Sequence, residues 1–380
     1  MSGKRSIFEE VGETSAKPAA PKGGMIDTRP KGARAAIRVW LFALFALVAA
    51  MVLVGGATRL TDSGLSITEW KPVTGALPPM SAADWQVEFE KYQQIPQFAA
   101  LNATMTVEEF KGIYWWEWGH RQLGRFIGLV WAVGFVGFWA TKRIPTGWTG
   151  RLLGLGVLGG LQGAIGWWMV SSGLGGEMVS VASYRLAVHL GLAFAILGLI
   201  AWYALALGRK DSDLLQARRL GEPKLFGMAT GVMHFAFLQI LLGALVAGLD
   251  AGRGMTDWPL MGGEILPSEA FDLEPLWKNF FENPVLTQFL HRMAGYGLVI
   301  FAGIAALKGR RSAHGATRTA FLWMGAVVLL QLALGIVTLV HGAPLSLGLV
   351  HQAGAILVWV IVIRARFLAR HPILRSIREG

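Results

Sequence analysis

Eight apolar stretches, each long enough or nearly long enough to cross a bilayer, dominate this chain and leave it almost no water-soluble fold to adopt. They run over 39–57, 126–140, 152–170, 186–207, 225–249, 293–307, 321–340 and 345–362. A helix needs about 20 predominantly apolar residues to cover the hydrocarbon core. The second and sixth stretches fall short, and they reach that length only by extending back through His120 and His291. In lipid the backbone must satisfy its own hydrogen bonds, so each stretch is read as an α-helix. With 53% hydrophobic and 16% charged residues in 380, the chain is too apolar for a soluble globular protein. The expected fold is all-α, a polytopic membrane protein with eight transmembrane helices.

The placement of lysine and arginine sets the expected orientation. Basic residues crowd the N-terminal arm (Lys4, Arg5, Lys17, Lys22, Arg29, Lys31, Arg34, Arg38) and the connections at 142–151, 209–224 and 308–318. Arg364, Arg366, Arg370, Arg375 and Arg378 follow at the C-terminal end. The alternate connections are long and poor in basic residues, which places both termini in the cytoplasm. The net charge of +11 is then a property of loops that face anionic lipid, and no nucleic-acid role is needed to explain it. The arm also carries Glu9, Glu10, Glu13 and Asp27, whereas organelle transit peptides are poor in acid. It reads as a disordered cytoplasmic arm of a bacterial inner-membrane protein. With no cysteine, the chain can hold no disulfide, iron–sulfur cluster or thiolate-ligated heme.

The two halves of the chain repeat each other. Shifted by 188 positions, Gly55, Asp62, Gly64, Thr68, Trp70, Gly75 and Pro79 fall on Gly243, Asp250, Gly252, Thr256, Trp258, Gly263 and Pro267, and Glu69 meets Asp257. Beyond the longer first outer loop the shift shrinks, and His120-Arg121 pairs with His291-Arg292, Gln162 and Gly166 with Gln331 and Gly335, and Val188-His189 with Val350-His351. An even number of spans per half keeps orientation, so the repeats are parallel about an axis along the membrane normal. Two pseudo-symmetric four-helix bundles follow, over 36–208 and 225–367, with an arm at 1–35, a linker at 209–224 and a tail at 368–380.

Four histidines, His120, His189, His291 and His351, therefore sit at equivalent places, on the second and fourth helix of each half and on one side of the membrane. An intramembrane imidazole is costly without a partner or a job. A lone one is as readily explained by a hydrogen bond between helices, which suits His234, and His341 suits the interface. Pairs repeated at matched depth instead suit two buried hemes with histidine axial ligands. Zinc fits less well, because no cysteine or carboxylate completes a tetrahedral set at each pair.

Glu117 breaks the symmetry. It stands three residues before His120, on the same helical face, and its counterpart before His291 is Gln288. A duplication that diverged into one reactive site and one electron-transfer site would look like this. The alternative is that Glu117 merely caps the second span. Arg121 and Arg292 follow their histidines and are candidates for pairing with heme propionates, or for snorkelling to the interface. Trp115, Trp116, Trp118, Trp167 and Trp168 suit an aromatic belt.

On TRLTDSGLSITEWKP at 58–72, Glu-x-x-His at 117–120, TDWPLMGG at 256–263 and the two later histidines, the chain resembles the heme A synthase (COX15/CtaA) family over nearly everything after the arm. It is similar to the subgroup without the cysteine pair in the first outer loop, so no mechanism can rely on that pair. The resemblance implies two four-helix bundles and oxidation of the C8 methyl group of heme O to a formyl group, giving the heme A of terminal oxidases. It further implies that His120 and His189 hold the substrate heme, that His291 and His351 hold heme b as cofactor, and that Glu117 is catalytic. Its candidate partners are heme O synthase, oxidase assembly factors and a second copy of the chain. Two rival readings remain at this point: a di-heme electron-transfer protein with no use for Glu117, and a repeat-built transporter whose histidines relay protons.

Overall fold

A computed structural model describes residues 31–373; the expected disordered arm through residue 30 and the end of the tail lie outside the described residues. Eight long helices cross it: α1 Lys31–Leu60, α2 Val107–Ala140, α3 Thr149–Val170, α4 Ser183–Leu207, α5 Pro223–Gly248, α6 Pro284–Gly309, α7 Gly315–Val340 and α8 Leu345–Arg370. All eight are long and apolar enough to span a membrane. The two short apolar stretches do extend back through His120 and His291, as the length requirement demanded.

Boundaries differ from the sequence-based expectation where local chemistry extends a helix. The N-terminal helix already begins at Lys31, inside the stretch expected as an arm. Residues of the 209–224 linker form a further helix, Asp211–Arg219, with acids in its first turn and arginines in its last, the arrangement the helix dipole favours. Arg34 of α1 pairs with Asp211 at 3.1 Å and so docks this linker helix.

The largest extension is at α2. Thr106 and Glu109 form a reciprocal capping box that starts this helix at Val107, some three turns before His120. The added turns are polar on one face, but Phe110 and Tyr114 on the other pack with Leu65, Phe89, Tyr92 and Ile95 of the folded outer loop. Glu117 is consequently deep within a helix, ten residues after its first residue, and the reading of Glu117 as a helix cap falls.

Helix packing repeats between the halves. In the first, α1 packs on α2 and α4, and α3 on α2 and α4; in the second, α5 packs on α6 and α8, and α7 on α6 and α8. This is compatible with one bundle per half. The halves meet where α4 lies against α5 and α8, and α1 against α8. Lipid tails are as apolar as leucine, so close fit and interhelical hydrogen bonds hold such an interface rather than loss of water. Gly198 of α4 lets the Trp359 indole of α8 approach, and Trp359 Nε1 donates to the Phe194 carbonyl at 2.8 Å.

At the C-terminal ends of α1 and α5 the repeat is visible in the backbone itself. Asp62 and Asp250 both turn through the left-handed region, with φ of 52° and 51°. Aspartate tolerates that conformation better than most side chains. Arg59 bridges the two turns, reaching Asp62 at 2.7 Å and Asp250 at 2.5 Å, and so ties the two halves together beside the histidines.

Candidate functional site

All four repeated histidines line one cavity of about 960 Å³ that reaches into both halves. That is the upper end of the range for sites that enclose a sizeable organic ligand. Each imidazole projects from an even-numbered helix, and a glycine on the preceding helix lies against it. A methyl added to Gly55 would sit 3.2 Å from His120 Nε2, and one on Gly166, Gly243 or Gly335 would sit 2.9, 3.0 or 3.0 Å from Cε1 of His189, His291 or His351. Any larger residue at these four positions would displace the ring. The repeat therefore preserves a histidine together with the space for it.

Three of the four imidazoles are held by a glutamine one turn before that glycine. Gln162 Nε2 donates to the His189 carbonyl at 3.0 Å and lies against the ring, 3.2 Å from its Nδ1 and 3.3 Å from its Nε2. Gln239 stands at 3.0 and 3.1 Å from the carbonyl and Nδ1 of His291, and Gln331 at 2.8 and 3.2 Å from those of His351. The amide oxygens of Gln162 and Gln239 are buried without a partner. An imidazole that gives its Nε2 to a metal carries an Nδ1–H, and turning the amide over would bring its oxygen to accept that proton in exchange for the bond to the carbonyl. Among the described residues the His120 ring has no hydrogen-bond partner. Sequence reading had noticed Gln162 and Gln331 only as matched positions and had missed Gln239, whose counterpart under the 188 shift is Met51.

The Glu117 position is where the two halves differ chemically. Its carboxylate is buried, with 2% of the residue exposed. Oε2 accepts from Ser66 Oγ and the Ile67 amide, both at 2.8 Å, and Oε1 accepts from Arg121 Nε at 3.0 Å and Nη2 at 2.6 Å. Gln288 is equally buried, but its amide nitrogen donates to the carbonyls of Ala251 at 2.8 Å and Met255 at 3.0 Å. The first outer loop thus offers donors to a carboxylate, and the second offers acceptors to an amide. Each loop suits the residue it meets: a carboxylate at 288 would face two carbonyls, whereas an amide at 117 would leave only the Ile67 amide without its acceptor. Ser66 and Ile67 were not identified from sequence, because loop geometry leaves no periodic signal.

Arg121 and Arg292, the candidates for propionate contacts, line the cavity and also hold the loops beside it. Besides Glu117, Arg121 donates to the carbonyls of Ile67 at 2.8 Å and Glu69 at 3.0 Å. Arg292 donates to the carbonyls of Met255, Asp257 and Leu260, each at 2.9 Å, and to Gln288 Oε1 at 3.3 Å. A guanidinium offers a fork of donors, and here the fork fastens each outer loop onto the helix that bears the histidine. Arg292 is buried, and the Arg121 side chain is 18% exposed.

Outside the spans, two loop carboxylates are held as anions. Hydrogen bonds from Lys71 and Lys91 lower the pKa of Glu69, and the Gly263 and Gly262 amides do so for Asp257. These matched residues stiffen the loops beneath which Glu117 and Gln288 lie. Trp70 stacks on Trp167 at 5.8 Å, and Trp115, Trp116 and Trp168 are exposed at the same end, in keeping with an aromatic belt. His234 faces outward from α5, so its expected interhelical hydrogen bond is not made among the described residues.

What could occupy such a cavity is constrained by its donors. Among the described residues no three His, Asp or Glu side chains converge. Each imidazole pair would instead suit an iron whose remaining ligands come from a flat macrocycle. The glycines beside the rings, and the open glycine face of α3 at Gly159, Gly160 and Gly163, leave room for such a disc. The residues present therefore fit heme in both halves.

A family model described as cytochrome oxidase assembly protein, COX15-CtaA, matches residues 38–363. The chain is 65% identical to the heme A synthase of Ruegeria sp. (strain TM1040) over 376 residues, covering 98% of this chain and 99% of that one. It is 63% identical to the heme A synthase of Paracoccus denitrificans, covering 99% and 98%, and 60% identical to that of Roseobacter denitrificans, covering the whole of both.

Proposed function

The chain belongs to the cytochrome oxidase assembly protein family COX15-CtaA, and from that membership we infer which parts of the cavity perform the family's chemistry. The protein is an oxidoreductase that converts heme O to heme A, oxidising the C8 methyl group to a formyl group. We place the substrate heme in the first half, over 36–208, between His120 and His189. We place heme b in the second half, over 225–367, between His291 and His351. When bound there, heme b supplies a relay for the electrons that the oxidation releases.

One observation supports this division above the others: a buried carboxylate with four donors on it stands beside His120, and a neutral amide with reversed polarity stands beside His291. Glu117 lines the cavity together with His120. Ser66, Ile67 and Arg121 fix both its oxygens, so it acts as a preorganised negative charge toward positive character developing at the methyl carbon. Arg121 and the loop it fastens cover the outer end of the site and limit water there. A di-heme carrier would need the same histidines but would leave this paired carboxylate without a task.

The direct test uses cells that make heme O but no heme A. Introducing this chain should produce heme A, detected by extraction and mass analysis, and heme O persisting alone would overturn the assignment.

We further propose that the protein lies in a bacterial inner membrane with both termini cytoplasmic and the histidines toward the periplasmic side. The lysine and arginine asymmetry supports this. Reporter fusions at Gly75 and Glu264 should read as exported, and one at the C-terminus as cytoplasmic. An exported C-terminus would reverse the orientation.

A further inference from the structure

We propose that His120 is the exchangeable ligand of the substrate site, and that Met51 is the residue that makes it so. The inference rests on the reading above that His120 and His189 hold the substrate heme.

A recurring pair on the odd-numbered helices carries the argument. Gln162 and Gly166 on α3, Gln239 and Gly243 on α5, and Gln331 and Gly335 on α7 are each four residues apart, hence on one helical face. In each pair the glycine makes room for an imidazole of the next helix, and the glutamine amide donates to that histidine's backbone carbonyl and lies against its ring. On α1 the pair is Met51 and Gly55. Met51 occupies the place of the missing glutamine. A methyl on Gly124 would lie 3.3 Å from Met51 Cε, and one on the matching Gly295 would lie 3.3 Å from Gln239 Nε2. A thioether donates no hydrogen bond and accepts only weakly. Among the described residues the His120 ring is thus packed but not tied, and it is also turned differently, presenting Nε2 rather than Cε1 to its glycine.

The helix that bears His120 is itself less constrained. α2 and α3 pack on one another less extensively than α6 and α7. α3 turns Gly159, Gly160 and Gly163 toward the cavity, where the repeat has Val328, Leu329 and Leu332.

The two sites face different demands. A resident cofactor must stay, whereas a substrate heme must be released as product every turnover, which requires a histidine to leave its iron. Partners of a ligating imidazole fix its orientation and strengthen its hold on the metal. Three tied rings and one untied ring give a heme b site closed on both sides and a substrate site that opens on the His120 side.

The test is the rate at which heme leaves the purified full-length protein for excess apomyoglobin, followed optically after loading with heme O. Met51→Gln should slow release from the first-half site about tenfold, within the effect typical of such outer partners. Met51→Leu, which adds no donor, should release at the wild-type rate. Gln239→Met should speed loss of heme b by a similar factor while the spectrum of the first-half heme is unchanged. If Met51→Gln does not fold, Gln239→Met and Gln331→Met carry the test from the other side. Unchanged release in Met51→Gln, or unchanged heme b retention in Gln239→Met, would overturn the proposal. A His120→Ala protein that binds and releases heme O as the wild type does would instead overturn the substrate-site reading beneath it.

Discussion

Glu117→Gln should lower heme A formation about a hundredfold or more while leaving the fold and the heme b content in place, judging by the usual contribution of a preorganised charge. The second half shows why the fold should tolerate it. There Gln288 already sits beside an arginine, with its Oε1 3.3 Å from Arg292 Nη2. A glutamine at 117 can face Arg121 in the same way, and the Ser66 hydroxyl can turn to accept from the new amide. The Ile67 amide then loses its acceptor, a cost of about 1–3 kcal/mol. That is too small to explain a hundredfold loss by unfolding, and a thermal melt followed through heme b absorbance separates the two effects. Heme O, or a hydroxylated intermediate, should accumulate in extracts. The reciprocal change, Gln288→Glu, sets a carboxylate against the carbonyls of Ala251 and Met255. It should weaken heme b retention without creating a second reactive site. Wild-type heme A levels in Glu117→Gln would end the catalytic assignment.

Replacing either histidine of the second half should have a comparably large effect by a different route. His291→Ala or His351→Ala removes a proposed heme ligand and leaves its glutamine, Gln239 or Gln331, without the ring it faces. Bound heme b should fall to background and heme A formation with it, because the electron relay is gone. The low-spin six-coordinate optical signature is the readout. Retention of a full low-spin heme b spectrum in both variants would show that these histidines are not its ligands. Alanine at these positions also opens space beside Gly243 and Gly335. Imidazole added to the medium should therefore restore part of the spectrum, which a merely misfolded protein would not show.

Much of this was legible in the residues, and the reasons differ from one feature to the next. The spans were legible because lipid admits only one backbone solution for a long apolar run. The histidines were legible because duplication put each at a matched position, and the contrast of Glu117 with Gln288 because symmetry gave it a reference. The start of α2 was not, since 107–116 is amphipathic and acidic and becomes helical through its capping box and the loop aromatics it meets. The loop partners of Arg121 and Arg292 were hidden for a related reason. They are backbone carbonyls of folded loops, and carbonyls have no letter in a sequence. The glutamine ties needed both the repeat and the packing of adjacent helices. Gln239 escaped notice because its counterpart, Met51, differs in chemistry, and that difference is the informative part.

The central claim is that one chain holds two unlike hemes, one to be changed and one to be kept. Pigment composition in the purified wild type, His189→Ala and His351→Ala proteins tests it most directly. The wild type should yield heme b together with heme O or heme A. His189→Ala should keep heme b and lose the others, and His351→Ala should lose heme b. Heme b alone in the wild type, or the same pigment lost from both variants, would contradict the account.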